Sequence, residues 1–249
     1  MMQHRIHVLF EDDLILAIDK PSGLPSHSLG NSERTREGNT EISCEKKLRA
    51  ERPGDELHLV HRLDTGTSGV LLFAKSESVF NEMRNQFKLK KIKKSYSAWS
   101  EKIPERLKLA SSLVLPLRIH APLAHHPKSK KRMIALPEEK KRIFRGKPIP
   151  ALTIIHQVLE ENFSGLPSIR FDLEIITGVM HQIRVHLHSI GFPLIGDPIY
   201  EKLEQRERSI RLALHARKIE FELNGFRYEI TSSPLKYDDE KLNPKGMGL

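Results

Sequence analysis

Apolar positions recur along this chain at two spacings, and each spacing names an element. Ile6, Val8 and Phe10 fall two apart, Glu11-Asp12-Asp13 can turn the chain, and Leu14 to Ile18 is apolar, which predicts two neighbouring strands. The run Gly69-Val70-Leu71-Leu72-Phe73-Ala74 predicts a buried strand. Ser76 can cap a following helix, whose Val79, Met83 and Phe87 sit four apart on one face. Farther on, Phe171, Leu173 and Ile175 alternate with Arg170, Asp172 and Glu174, the pattern of a strand with one wet face. After Thr177-Gly178 the spacing becomes helical, with Ile183, Leu187 and Ile190 at i, i+4 and i+7, and Gly191 can supply the left-handed residue that ends the helix. Two alternating runs, Ile219 to Leu223 and Phe226 to Ile230, flank Asn224-Gly225, the best hairpin signal in the chain.

Between these elements, Gly30 to Glu56 is polar and charged and reads as a surface excursion with one short helix around Glu41 to Ala50. Beyond Pro234 the chain is polar, and residues 235–249 are expected to form a frayed tail. Strands joined by hairpins, a few helices and no regular βαβα alternation predict an α+β fold with a largely antiparallel mixed sheet. At 249 residues, 38% of them hydrophobic, one catalytic domain spanning 1–249 is the expectation, with no internal repeat.

Composition narrows the partner. The 41 Lys and Arg outnumber the 32 Asp and Glu, for a net charge of +9, which favours an anionic partner such as nucleic acid. A single cysteine, Cys44, excludes an intramolecular disulfide and a thiolate-rich metal site, in keeping with the reducing cytoplasm. The first residues lack the apolar core of a signal peptide, and no apolar run approaches the roughly 18 residues of a membrane span, so no membrane association is expected.

The chemistry gathers at His61-Arg62-Leu63-Asp64-Thr65-Gly66-Thr67-Ser68-Gly69, small and polar residues set against the buried strand. Two readings fit these residues equally: a tight turn whose Asp64 accepts backbone amides, or a loop presenting Asp64 as a nucleophile.

This segment resembles the signature of RluA-type pseudouridine synthases, with Asp64 in the place of the catalytic aspartate. The similarity extends upstream to Glu11-Asp12-Asp13 and Asp19-Lys20-Pro21-Ser22-Gly23-Leu24, and downstream through Lys94-x-Tyr96-x-Ala98. It continues in Thr177 to Leu187, Gly196-Asp197-Pro198-x-Tyr200 and Leu214-His215-Ala216, so it runs in order from Val8 to Phe221. One departure stands out: Val179-Met180 occupies the place where the family usually carries Arg-Thr.

The resemblance implies the pseudouridine-synthase catalytic fold and an isomerase that acts on uridines of ribosomal RNA, transfer RNA or both, as a monomer without cofactor or metal. It implies that Asp64 attacks either the ribose or the base, and that Arg184 pairs with it through a planar guanidinium that Lys could not copy. Tyr96 would lie against the uracil and accept the proton leaving C5, with Ile183 as the opposite apolar wall and Lys94 and His61 as further substrate contacts. Arg62 would either fill the space left by a flipped uridine or contact a phosphate. Many family members carry a small RNA-binding domain ahead of the catalytic one; with the first strand near Ile6, none is expected here.

Two basic stretches add to this. Nine Lys and Arg lie between Lys128 and Lys147, a loop that either grips phosphates or is simply solvated, and Lys88, Lys90, Lys91, Lys93 and Lys94 precede Tyr96. His181, His186 and His188 do not share one helical face and are not expected to hold a metal. Three rival readings compete: a non-catalytic RNA-binding paralogue, a hydrolase using Asp64, Ser68 and a histidine, and a glycosidase, which would need a second carboxylate.

Overall fold

The computed structural model describes residues 6–27, 42–136, 143–201 and 210–234. The fold is α+β, and the chain forms two compact units, one of Met1–Leu89 with His215–Leu249 and one of Lys90–Leu214.

In the first unit, β1 (His7–Glu11) and β2 (Ile15–Lys20) pair antiparallel across the expected turn. Asp12 closes that turn by accepting the amides of Leu14 and Ile15 at 2.9 and 2.8 Å, which delays the strand to Ile15. Next comes α1 (Cys44–Glu51), which begins later than the sequence suggests because Ser43 caps it, accepting the Lys46 amide at 3.2 Å. Glu41, with most of the polar excursion, lies outside the described residues. A short β3 (His58–Leu59) leads to β4 (Ser68–Ala74), every residue of which is buried, and then to α2 (Glu77–Lys88). Ser76 caps α2 as expected, and Val79 and Met83 are its buried face. The unit is completed by β12 (Leu214–Leu223) and β13 (Phe226–Thr231), joined through Asn224 and Gly225 at φ +50° and +80°. Its sheet runs β1-β2-β4-β12-β13; β2 meets β4 antiparallel, whereas β12 meets it parallel through only His215 against Ser68 and Ala216 against Gly69.

The second unit holds β5 (Lys93–Glu101), α3 (Pro104–Ser111), β6 (Leu117–His120), β7 (Leu123–His125), β8 (Met133–Ala135), β9 (Arg145–Ile149), β10 (Leu152–Phe163), β11 (Leu166–Ile175) and α4 (Gln182–Ser189). Its antiparallel sheet runs β5-β11-β10-β6, and β8-β7-β9 form a second, three-stranded sheet. The face of β11 expected to be wet is largely closed. Asp172 is 7% exposed and accepts the Ser97 hydroxyl at 2.7 Å, and Arg170 pairs with Glu161 at 2.7 Å. Ser97 on β5 and Glu161 on β10 thus supply polar partners on this face. The helix α4 ends where Gly191 takes φ +94°, as its position suggests. Of the basic loop 128–147, residues 137–142 lie outside the described residues, as does the tail from 235.

Candidate active site

The loop that carries Asp64 is held almost entirely by its backbone. Leu63 donates its amide to Ser26 Oγ at 3.0 Å, and its carbonyl accepts the same hydroxyl at 2.8 Å. The turn closes when Thr67 N–H donates to the Asp64 carbonyl at 3.0 Å. The segment Lys20 to Leu24 braces it from below. Gly23 N–H donates to the Thr65 carbonyl at 2.8 Å, and the Ser22 hydroxyl donates to the Gly66 carbonyl at 2.7 Å. The fully buried Lys20 ammonium donates to the carbonyls of Pro21, Leu24 and Thr65 at 3.0, 2.6 and 3.1 Å. Three protons meet three acceptors, so the cation is satisfied without water. Burial still pushes the Lys20 pKa down to about 8, against the pull of the Cys44 and Asp64 side chains. With Leu63 buried between them, Arg62 is exposed and Asp64 half-buried.

Where the motif enters β4, Ser68 and Gly69 lock it to β12. A side chain at Gly69, which has φ +110°, would place its Cβ 2.2 Å from the Ala216 carbonyl oxygen, so only glycine permits this approach. His215 Nε2 lies 3.1 Å from the Ser232 carbonyl, which can only accept, so Nδ1 at 2.9 Å accepts the Ser68 hydroxyl. The Ser232 hydroxyl in turn donates to Asp19 at 2.8 Å. Ser68 and His215 are both fully buried and therefore cannot serve as a hydrolase pair. His61 is also engaged structurally, accepting the Leu72 amide at 3.2 Å and packing on Phe87 at 5.3 Å.

In the second unit Lys94 and Tyr96 share one face of β5, two residues apart. Tyr96 is 6% exposed. The Lys94 ammonium reaches the Thr177 carbonyl at 3.5 Å, which joins β5 to the turn before α4. Burial pushes the Lys94 pKa down to about 8, opposed by Glu174.

That turn and α4 are locked by their own side chains. Gln182 uses its whole amide: Oε1 accepts the Thr177 hydroxyl at 2.8 Å and the Val179 amide at 3.2 Å, and Nε2 donates to the Leu152 carbonyl and Thr153 hydroxyl at 3.0 and 3.1 Å. His186 Nε2 meets the Ala121 carbonyl at 2.9 Å and Nδ1 the Thr153 hydroxyl at 2.8 Å; burial lowers its pKa and keeps it neutral. Ile183 is buried beside them, Val179 packs on the core beneath Tyr200, and Met180 is 40% exposed.

Arg184 grips Asp197 in two places: Nε and one Nη donate to the two carboxylate oxygens at 2.7 and 2.8 Å, with Arg184 5% exposed and Asp197 fully buried. Burial raises the Asp197 pKa, but Arg184 and the amides of Ile199 and Tyr200 outweigh it and hold the carboxyl below its ordinary value. Gly196 sets up this carboxylate, since a Cβ there would lie 2.3 Å from the Arg211 carbonyl oxygen. Sequence reasoning gave Lys20 and Asp197 no task. The Gly-Asp-Pro run was visible, but the side chain that the aspartate meets was not.

Within the first unit the structure thus brings His61, Arg62 and Asp64 onto one braced loop, and within the second it joins Lys94 to the segment carrying Ile183 and Arg184. The chain matches the RNA pseudouridylate synthase family over residues 14–189. The dual-specificity RNA pseudouridine synthase RluA of Vibrio parahaemolyticus is 33% identical over 216 residues, which cover 86% of this chain and 76% of that protein. The ribosomal large subunit pseudouridine synthase D of Zymomonas mobilis is 29% identical over 256 residues, 98% of this chain and 71% of its own. A solved structure titled human RNA pseudouridylate synthase domain containing 1 shares the fold, with a TM-score of 0.72 and 21% identity over 92% of this chain and 83% of its own.

Proposed function

Because this chain belongs to the RluA family of RNA pseudouridine synthases, isomerases that form pseudouridine in RNA, we propose that Asp64 is its nucleophile and Arg184 and Tyr96 its catalytic partners. The reaction breaks the bond between uracil N1 and ribose C1′, turns the base, joins C5 to C1′, removes the C5 proton and leaves N1 protonated in its place. It involves no net redox change and no energy input, so the protein's own groups suffice.

The observation that carries the reading is the presentation of Asp64: a loop fixed through its carbonyls by Lys20, Ser22 and Gly23 leaves the carboxylate half-buried. A nucleophile needs a rigid backbone and an accessible side chain. Arg184 is assigned the charge that keeps Asp64 ionised, and Tyr96 the uptake of the C5 proton. Ile183, Lys94, Arg62 and His61 are assigned to the substrate, His61 through the loop it steadies. The whole chain, 1–249, is proposed to serve as one catalytic domain, monomeric and cytoplasmic. No helix of the described residues is long and apolar enough to cross a membrane. The names of the relatives support ribosomal RNA as substrate, and transfer RNA is the alternative.

The test uses RNA carrying tritium at uracil C5, taken from cells that lack the gene, incubated with the full chain and with Asp64→Asn. Tritium release by the wild type alone is the expected result. A variant that keeps a tenth of the wild-type rate removes Asp64 from the mechanism, and no release by either protein leaves a non-catalytic RNA-binding role.

A further inference from the structure

A second feature of the Lys90–Leu214 unit has the chemistry of an anion seat. Between β8 and α4 lies a cavity of about 110 Å³ whose lining includes Arg132, Ile134, Ala135, His188, Ser189 and Tyr200. None of its lining residues is acidic. Two guanidinium groups lie against the Tyr200 ring, Arg184 at 5.2 Å and Arg132 at 5.5 Å, and they differ in one respect. Arg184 is paired with Asp197, whereas Arg132 has no ion-pair partner among the described residues, and its buried Nε has no hydrogen-bond partner there. A half-buried guanidinium with an unsatisfied nitrogen is costly unless an anion meets it, because burial removes water and nothing replaces it.

The surroundings favour the same ligand. Arg132 ends the turn between β7 and β8, which is closed by His126 N–H donating to the Arg132 carbonyl at 2.9 Å. That turn exposes Lys128, Lys130 and Lys131. At about 110 Å³ the cavity has room for a group the size of one phosphate.

We propose that this cavity seats one phosphodiester of the substrate RNA, with Arg132 as the side chain that binds it and Ser189 at its wall. The proposal rests on the chain's action on RNA. It gives the described part of the basic loop a specific anchor, where the lysines alone supply only a diffuse field.

The test measures binding of the full chain to a short RNA stem-loop with uridines in its loop, across a salt series, for wild type, Arg132→Gln and Arg132→Lys. Arg132→Gln should bind about fivefold more weakly at moderate salt, and the slope of log affinity against log salt should become shallower by about 0.7–0.9, the signature of one lost phosphate contact. Arg132→Lys should restore the slope, which a purely structural role against Tyr200 would not require. Should Arg132→Gln fail to fold, Ser189→Asp places a carboxylate at the same wall and should produce the same loss. Folded variants that bind with the wild-type slope overturn the phosphate seat, whereas a wild type without salt-dependent RNA binding overturns the RNA reading itself.

Discussion

The loop bearing Asp64 and the turn and helix bearing Arg184 are both short polar motifs next to strands, yet they are held in opposite ways. Around Asp64 the bonds run to backbone atoms: the Leu63 amide and the carbonyls of Leu63, Asp64, Thr65 and Gly66 are all taken. The side chain of Arg62 is exposed and that of Asp64 is half-buried. Around Arg184 the side chains are themselves the scaffold, with Gln182, Arg184 and His186 all buried and engaged with Asp197, Thr153, Thr177 and the carbonyls of Leu152 and Ala121. A presented side chain can change without disturbing its support, whereas an embedded one cannot. Substitutions should therefore separate activity from stability in the first region and merge them in the second.

The sharpest separation is expected at Asp64. Asp64→Asn should lower turnover by at least about a thousandfold, on the order of 4 kcal/mol in the barrier. Its effect on unfolding should stay below about 1 kcal/mol, as at other presented side chains; urea melts of the tritium-assay proteins check this. A loss of stability matching the loss of rate would show that Asp64 is part of the scaffold.

At Asp197 the two effects should merge. Asp197→Ala leaves the buried Arg184 guanidinium without its carboxylate and orphans the Ile199 and Tyr200 amides, which should cost about 3–5 kcal/mol in denaturant unfolding and lower the rate. Wild-type stability in this variant would break the contrast.

Lys20 tests the backbone-held loop through pH. Its folded pKa of about 8 lies below the ordinary 10.5, so between those values the unfolded chain holds the extra proton. Wild-type stability therefore carries the full burial penalty below pH 8 and gains as pH rises towards 10.5. Relative to Lys20→Met, which lacks the group, wild type should gain roughly 3 kcal/mol across that window. A pH-independent difference would mean that the buried ammonium is not strained.

The smallest effect is expected at Thr177→Val, which removes a hydroxyl that donates to Gln182 and accepts the Leu152 amide. About 1–2 kcal/mol of stability should be lost, measurable as a lower melting temperature.

Much of the fold was legible because it depends on local period and local turn chemistry. The strands at 69–74 and 171–175, the Ser76 cap, the Gly191 stop and the Asn224-Gly225 hairpin are all present. A second hairpin of the same kind, through Ser164 and Gly165 at φ +50° and +79°, was not read from the sequence. There the alternation in β10 breaks where its register with β11 shifts between Ile155 and Gln157, so the period-two signal is interrupted. The polar face of β11 is drier than its alternation suggests for a different reason: Asp172 and Arg170 meet side chains on the neighbouring strands, Ser97 and Glu161.

By itself, the sequence determined the α+β class, the family and the loop that offers Asp64, because period, turn residues and motif order are properties of neighbouring positions. Only the tertiary structure decided what each polar group meets: that Lys20 holds the Asp64 loop from beneath, that Ser68 and His215 are a buried clasp, and that Arg184 grips Asp197. The reason is that burial and hydrogen-bond partnership are relations between segments, set by how strands stack and not by the residue types on either side.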